Sequence, residues 1–326
     1  MKALIVGLGS MGKRRARLLR ELGVSVIGVD SNTKRLTEAN DLLCASFDSL
    51  DNAITSDSDI DIAFVCTSPL SHYDIAKKLL ISGMHVFTEL NLVNQGYEEL
   101  SKIAKENNLV IFPSSTWLYR KEMQYITDKT LNLPQKYAYT YHIGQYLPDW
   151  HPWESYKDYF IGDKRTNGCR EIMALELPWL CRAFGPIVSI HSISRRLTKL
   201  NIDYPDTYIV QIEHANGSIG SLTVDITSPL PIRDLEVFGE HVHLFWSGTP
   251  DTLFEFNLQT KQKAPVHLYD SITHKNGYAS FIIENAYTDE IRAFLNVVQG
   301  KESAVYSLSD DAKILKWIDK IEEAGK

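Results

Sequence analysis

Gly7-Leu8-Gly9-Ser10-Met11-Gly12 reads G-x-G-x-x-G, and its setting constrains the fold more than any other feature of the chain. The apolar run Leu4-Ile5-Val6 leads straight into it. Met11 to Leu22 follows with apolar residues at helical spacing and stops at Gly23. A glycine turn between a buried strand and a helix opens a βαβ unit. There the first glycine permits the tight turn, the second lets backbone approach a pyrophosphate, and the third lets helix and strand pack closely. The helix N-terminus presents N–H groups and partial positive charge to the phosphates. Asp30 ends the next strand, Val24 to Val29, where an acid bonds the adenosine ribose 2′-hydroxyl. The expectation is an NAD site formed by Gly7, Leu8, Gly9, Ser10, Met11, Gly12 and Asp30; the alternative is a βα turn with no ligand. A carboxylate repels a 2′-phosphate, although Lys34 and Arg35 just behind it leave NADP open.

The alternation continues. A helix from about Thr33, a short strand at Ala45–Phe47, a buried strand from Ile60 to Cys66 and a helix from Tyr73 to Ile81 come next. Strands at Met84–Phe87 and Leu109–Phe112 flank a helix from Tyr97 to Glu106. Such a series forms right-handed crossovers and a doubly wound, mainly parallel sheet, with ligands at the carboxyl ends of its strands. After about Tyr119 the texture changes to a strand over Lys136–Tyr146, a helix over Glu171–Phe184 and then six strand-like runs between Ile187 and Phe256. Asn216-Gly217 marks a hairpin between two of them. Helices close the chain at Ala286–Val298 and Ser309–Ala324. The fold class is therefore α/β, a Rossmann domain at 1–118 followed by an α+β domain at 119–326 on a largely antiparallel sheet.

Composition excludes several classes. At 326 residues the chain has room for two cores, and 34 basic against 41 acidic residues leave a net charge of −7, which disfavours a general nucleic-acid binder. The basic run Lys13-Arg14-Arg15-Ala16-Arg17 reads as a solvated helix face rather than a nucleic-acid patch. No apolar run approaches the roughly 18–20 residues of a membrane span, and the start lacks an adequate signal-peptide core. Cys44, Cys66, Cys169 and Cys181 form no C-x-x-C pair, so neither a zinc site nor a disulfide scaffold is expected. A cytoplasmic, metal-free protein without nucleic-acid or membrane partners is the expectation.

On its dinucleotide motif, Asp30 and the succession of the two domains, the chain resembles the Gfo/Idh/MocA family, named for glucose–fructose oxidoreductase and inositol dehydrogenase. The likeness runs from Met1 to the terminal helices. It implies that Thr67-Ser68-Pro69-Leu70-Ser71-His72, a T-x-x-x-x-H segment, brings Thr67, Ser68, Pro69 and His72 beside the nicotinamide half of the cofactor. Two departures stand out. Where the family carries E-K-P, with the lysine at nicotinamide ribose and substrate, this chain has Glu89-Leu90-Asn91. Where it carries G-G-x-x-x-D-x-G-x-H, Glu171 falls at the aspartate, Leu175 at the histidine and Glu176 directly after. The resemblance implies a nicotinamide-dependent oxidoreductase acting on a sugar, nucleotide-sugar or polyol lying between the cofactor and the second sheet, in a homodimer or homotetramer. An elimination or epimerisation enzyme that regenerates its NAD, and a non-catalytic dinucleotide sensor, remain as alternatives because of Leu90 and Leu175.

Oxidising a carbinol needs a base for the hydroxyl proton. One segment, Gln145 to Phe160, offers replacements: six of its 16 residues are aromatic, against 10% of the chain. Tyr146, Trp150 and Trp153 are candidates to stack on a sugar, and Asp149 and His151 to handle its hydroxyls, His151 first because its titration lies near neutrality. The other reading is an aromatic loop packed in the domain or at a subunit interface. Glu171 and Glu176 lie five apart and project in different directions, so only one is expected to face the pocket, Glu171 having the claim of position. Trp117 and Arg120, after the last Rossmann strand, are candidates for holding an anionic substrate group, with a salt bridge as the alternative for Arg120.

Overall fold

The computed structural model describes residues 1–56, 59–131, 136–151, 154–274 and 281–325. The chain forms two compact units: residues 1–115 with 287–313, and residues 116–286 with 314–326. The sequence reading closes the first domain at about residue 118; the first unit also takes in the later segment.

In the first unit β1 (Lys2–Val6), α1 (Ser10–Glu21), β2 (Ser25–Val29), α2 (Thr33–Ala39), β3 (Ala45–Phe47) and α3 (Leu50–Ser56) form one half. The other half is β4 (Ile62–Val65), α4 (His72–Ile81), β5 (His85–Thr88), α5 (Tyr97–Glu106) and β6 (Ile111–Pro113). All six strands are parallel, in the order β3-β2-β1-β4-β5-β6. The order reverses between β1 and β4, which is where a ligand crevice opens in such sheets. At the end of α1, Gly23 takes φ +77°, a left-handed conformation that suits glycine, and its N–H bonds the Arg20 carbonyl.

The second unit begins with α6 (Lys121–Leu131), a helix the sequence reading passes over, and continues with β7 (Ala138–Gly144) and α7 (Gly168–Phe184). Then follow β8 (Ile187–Arg195), β9 (Thr207–His214), β10 (Ile219–Asp225), β11 (Ile232–Gly239), β12 (Val242–Trp246), β13 (Phe254–Asn257) and β14 (Gln262–Pro265). The eight strands run β14-β13-β12-β11-β7-β10-β9-β8 and are antiparallel except where β7 meets β10. The hairpin expected at Asn216-Gly217 joins β9 to β10, with Gly217 at φ +81°. Alternation along the strands sends Tyr139, Tyr141, Val210, Ile212, Leu222, Val224, Leu235 and Val237 inward, while Val188, Ile193, Ile209, Ile219 and Phe238 are exposed.

The chain ends with α8 (Glu284–Val298) and α9 (Leu308–Ala324). The return of α8 to the first unit has a packing cause. Phe64, Phe87 and Phe112 stand side by side on β4, β5 and β6, and Phe294 of α8 meets all three rings edge-on at 5.4–5.6 Å. Burying such a ring stabilises by about 1.5–3 kcal/mol, and aromatic edge contacts add to it.

Candidate active site

The glycine turn is built as its spacing requires. Gly7 takes φ +92°, and a Cβ on Gly12 would lie 1.8 Å from the Gly7 carbonyl oxygen, so both positions are closed to side chains. Gly9 differs: a Cβ there would meet nothing within 4 Å. It caps α1 with no side-chain hydrogen bond, and the first turn holds no acidic residue. Backbone next to open space at an uncompensated helix start is a cradle for an anion. Asp30 is buried at the end of β2, where its carboxylate accepts the Leu8 N–H at 2.7 Å and the Asn32 N–H at 2.8 Å. Arg35 lies 3.7 Å from it. These residues fit a dinucleotide: Gly9 gives access to the pyrophosphate, and a carboxylate oxygen with a lone pair beyond its one backbone donor can still accept a ribose hydroxyl.

The T-x-x-x-x-H and Glu89-Leu90-Asn91 segments meet through one network. His72 is buried, with Nδ1 2.8 Å from Asn91 Oδ1 and Nε2 3.0 Å from the Thr67 carbonyl. Burial pushes its imidazole below the usual value, so it is neutral. The Asn91 amide Nδ2 donates to the Thr88 hydroxyl at 3.0 Å, which turns its Oδ1 toward His72 Nδ1. Thr67 and Ser71 hydroxyls bond at 2.8 Å. Thus Asn91 acts by orienting His72, while Leu90, half-buried, supplies neither donor nor acceptor.

Two expectations in this unit are corrected. The basic run is not a solvated face: Arg14 and Arg15 are 2% and 0% exposed. Arg15 pairs with Glu89 and Glu290, both at 2.6 Å, and its guanidinium lies 4.6 Å from the Phe87 ring centre. Burial works against the charge, but the two carboxylates outweigh it and hold the guanidinium protonated. Glu89 is therefore an internal ion-pair partner and not a free cofactor contact. Glu290 came with α8, and nothing in the sequence marked it as the partner of Arg15.

In the second unit the candidates separate. Asn167 caps α7, accepting the Arg170 N–H at 2.8 Å, and Arg170 pairs with Asp319 and Glu322 at 2.7 and 2.6 Å. This brace fixes the first turn of α7 and so the position of Glu171. The Glu171 carboxyl has no described hydrogen-bond or ionic partner, and burial raises it to about 7. The helix N-terminus pulls the other way by about 0.3–1 kcal/mol, and desolvation prevails. Burial first, and then the charges of Glu171 and Glu154, raise the Tyr159 phenol. The Tyr159 ring centre is 4.7 Å from that of His151, whose Nδ1 is 2.8 Å from Glu154 Oε1. Trp150 donates its indole N–H to the Gln145 carbonyl at 3.0 Å and packs beside Gly168 at the start of α7. Tyr146 is half-buried, Asp149 is exposed, and Trp153 lies outside the described residues.

Glu176, Trp117 and Arg120 belong elsewhere. Glu176 is fully buried, paired with Arg233 at 2.6 Å and accepting from Trp179 Nε1 at 2.6 Å and the Tyr141 hydroxyl at 2.9 Å. Arg120 is bound to Glu122 and donates to the Phe281 carbonyl at 2.9 Å. Both guanidinium groups lie near the Trp117 ring, at 4.5 Å for Arg120 and 4.4 Å for Arg233. A carboxylate and an arginine already neutralised in a core have no charge to spend on a ligand, and the buried Trp117 ring lies against both guanidinium groups. Arg233 carries no sequence signal, and Tyr159 was visible only as one aromatic among six.

Residues 1–114 match the family model GFO_IDH_MocA, described as an oxidoreductase family with an NAD-binding Rossmann fold. Solved structures resemble the whole chain in fold. An oxidoreductase from Agrobacterium radiobacter, crystallised with NAD+, L-tartaric acid and magnesium, has a TM-score of 0.82 at 10% identity, covering 100% of this chain and 96% of its own. The UDP-N-acetylglucosamine 3-dehydrogenase GnnA from Acidithiobacillus ferrooxidans has 0.79 at 16% identity, covering 99% and 97%. The WlbA dehydrogenase from Bordetella pertussis, solved with NADH and UDP-GlcNAcA, has 0.76 at 14%, covering 100% and 96%. No curated protein matches the chain in sequence. Within the matched residues, the cradle at Gly9 and the carboxylate of Asp30 are the features that fit the cofactor of the family description. Among the described residues no helix is long and apolar enough to cross a membrane.

Proposed function

We propose that the chain is an NAD-dependent dehydrogenase that oxidises a secondary hydroxyl of a sugar or nucleotide-sugar, with Glu171 as the proton acceptor. The observation that carries this reading is a half-buried carboxyl without a partner among the described residues, raised to about 7, on a braced helix start. A base poised near the working pH combines a useful ionised fraction with driving force for proton transfer. Gly7, Gly9, Gly12 and Asp30 hold the dinucleotide, which when bound supplies a hydride acceptor. Thr67 and His72, oriented by Asn91, belong to the nicotinamide half. Trp150 and Tyr146 supply apolar surface for the sugar, and His151 with Glu154 supplies polar contacts. The sugar and nucleotide-sugar dehydrogenases that share this fold support the substrate class. The test is formation of NADH, followed at 340 nm, across a panel of UDP-sugars and free sugars. Reduction of NAD+ by one panel member supports the proposal; tight NADH binding with no turnover of any member favours a dinucleotide sensor.

Self-association through the open face of the second sheet is part of the same reading. Val188, Ile193, Ile209, Ile219 and Phe238 are 40–57% exposed there, and a row of apolar side chains on one sheet face favours pairing with a second copy. Light scattering would give a dimer or tetramer for the native chain and a smaller species for Ile209→Lys. An unchanged mass in that variant would remove the assignment of this face.

A further inference from the structure

Arg35 stands beside Asp30 without being hydrogen-bonded to it. Its Nη1 is 3.7 Å from Asp30 Oδ2, an ion-pair distance too long for a hydrogen bond, and its side chain is 49% exposed. Among the described residues none accepts a hydrogen bond from this guanidinium. Asp30 is the opposite case. Its side chain is buried, and backbone N–H groups hold both of its oxygens, Leu8 at 2.7 Å on Oδ2 and Asn32 at 2.8 Å on Oδ1. The carboxylate is therefore fixed, while the cation next to it breaks no hydrogen bond when it moves. Lys34 is turned elsewhere: its ammonium is well exposed and 4.0 Å from Glu38, which Lys13 holds at 2.8 Å. The two basic residues behind Asp30 are not equivalent.

We propose that Arg35 sets the cofactor selectivity of the first unit, admitting NADPH as well as NADH by moving from Asp30 to the 2′-phosphate. The inference rests on the dinucleotide site assigned above and deepens it. With the non-phosphorylated cofactor, the ribose 2′-hydroxyl donates to Asp30, whose oxygens each keep a lone pair beyond their backbone donor. Arg35 then stays as the counter-ion of the carboxylate. A 2′-phosphate beside a bare carboxylate is repelled, because both are anions. An arginine within ion-pair reach alters that balance in two ways. It offsets the Asp30 charge, and its planar fork presents several N–H groups to phosphate oxygens in charge-assisted hydrogen bonds. Its half-exposed position lets a phosphate meet it without entering the core. Lys34 carries the same charge but directs it at Glu38, so it does not contribute to the choice.

The test is a binding titration of the full chain, read by the fluorescence of NADH and NADPH, and it needs no turnover. The native chain should bind both, with the affinity for NADPH falling more steeply as KCl is raised. Arg35→Ala should lower NADPH affinity by about tenfold or more, the scale of one lost charge-assisted hydrogen bond. NADH affinity should stay within a few-fold, as expected for an exposed ion pair. Lys34→Ala should change neither. Unchanged NADPH affinity in Arg35→Ala overturns the proposal, and so does a loss of NADPH in Lys34→Ala instead. A native chain that binds NADH and not NADPH also overturns it while leaving the NAD site standing; a chain that binds neither removes the site and the proposal together. A second measurement uses the native chain alone: 2′,5′-ADP should displace NADH at least as well as 5′-AMP does. Displacement by 5′-AMP only overturns the proposal, even where Arg35→Ala does not fold.

Discussion

Glu176 and Arg233 face each other at 2.6 Å in the interior of the second unit, and this pairing separates Glu176 from Glu171, five residues earlier on the same helix. One carboxylate is neutralised by a guanidinium and two further donors. The other is left with desolvation alone.

Glu176→Gln should destabilise the second unit by about 3–5 kcal/mol, because it leaves the Arg233 guanidinium buried and uncompensated. Urea unfolding measures this. Replacing both partners by apolar residues, Glu176→Leu with Arg233→Met, should recover much of the loss. A stable but inactive Glu176→Gln protein would show that Glu176 touches the reaction after all.

Glu171 governs the pH dependence. Oxidation should rise with pH through about 7 and level off above it, since the base must be ionised. Glu171→Gln should lose about 10²–10⁴-fold in rate while binding NADH as before. Stability follows the opposite sign. Because the folded value lies above the ordinary 4.5, the native state holds the proton more tightly than the unfolded chain. The contribution is present below about 4.5 and is lost as pH rises toward 7, so the native chain should lose stability relative to Glu171→Gln over that window. Denaturant midpoints at pH 4.5 and 7.5 would reveal a constant difference if the carboxyl titrates normally.

Gly9→Ala and Gly12→Ala should fail for different reasons. At Gly9 the new methyl enters open space at an ordinary φ of −68°, so thermal stability should be nearly unchanged while NADH affinity falls at least tenfold. At Gly12 it would lie 1.8 Å from the Gly7 carbonyl, so the domain itself should be destabilised. Calorimetry with and without NADH separates the two. Equal NADH affinity in Gly9→Ala would argue against the turn as the pyrophosphate site.

Arg15→Met should be costly, because Glu89 and Glu290 would remain as unpaired buried carboxylates. The expected loss is about 3–5 kcal/mol at neutral pH. A loss of the same size on adding Arg15→Met to a Glu89→Gln, Glu290→Gln chain would mean that packing on Phe87, and not charge, explains the arginine.

The doubly wound sheet, the glycine turn, Asp30 and the change to a largely antiparallel second domain were legible in the chain itself, because each rests on local periodicity or on a turn that only particular residues allow. Glu171 was marked only through the resemblance, by falling at the aspartate of the family motif. What the chain alone did not carry was the partner of each charge. Arg15 reads as surface in a basic run and is buried because Glu290 arrives from α8. Glu176 and Arg120 read as site residues and are consumed by Arg233 and Glu122. Whether a charged side chain is framework or reagent depends on who neutralises it, and the neutralising groups here stand up to 275 residues away in sequence. Ion pairs have no periodicity to betray them. Tertiary packing alone decided which carboxyl was left without a partner among the described residues.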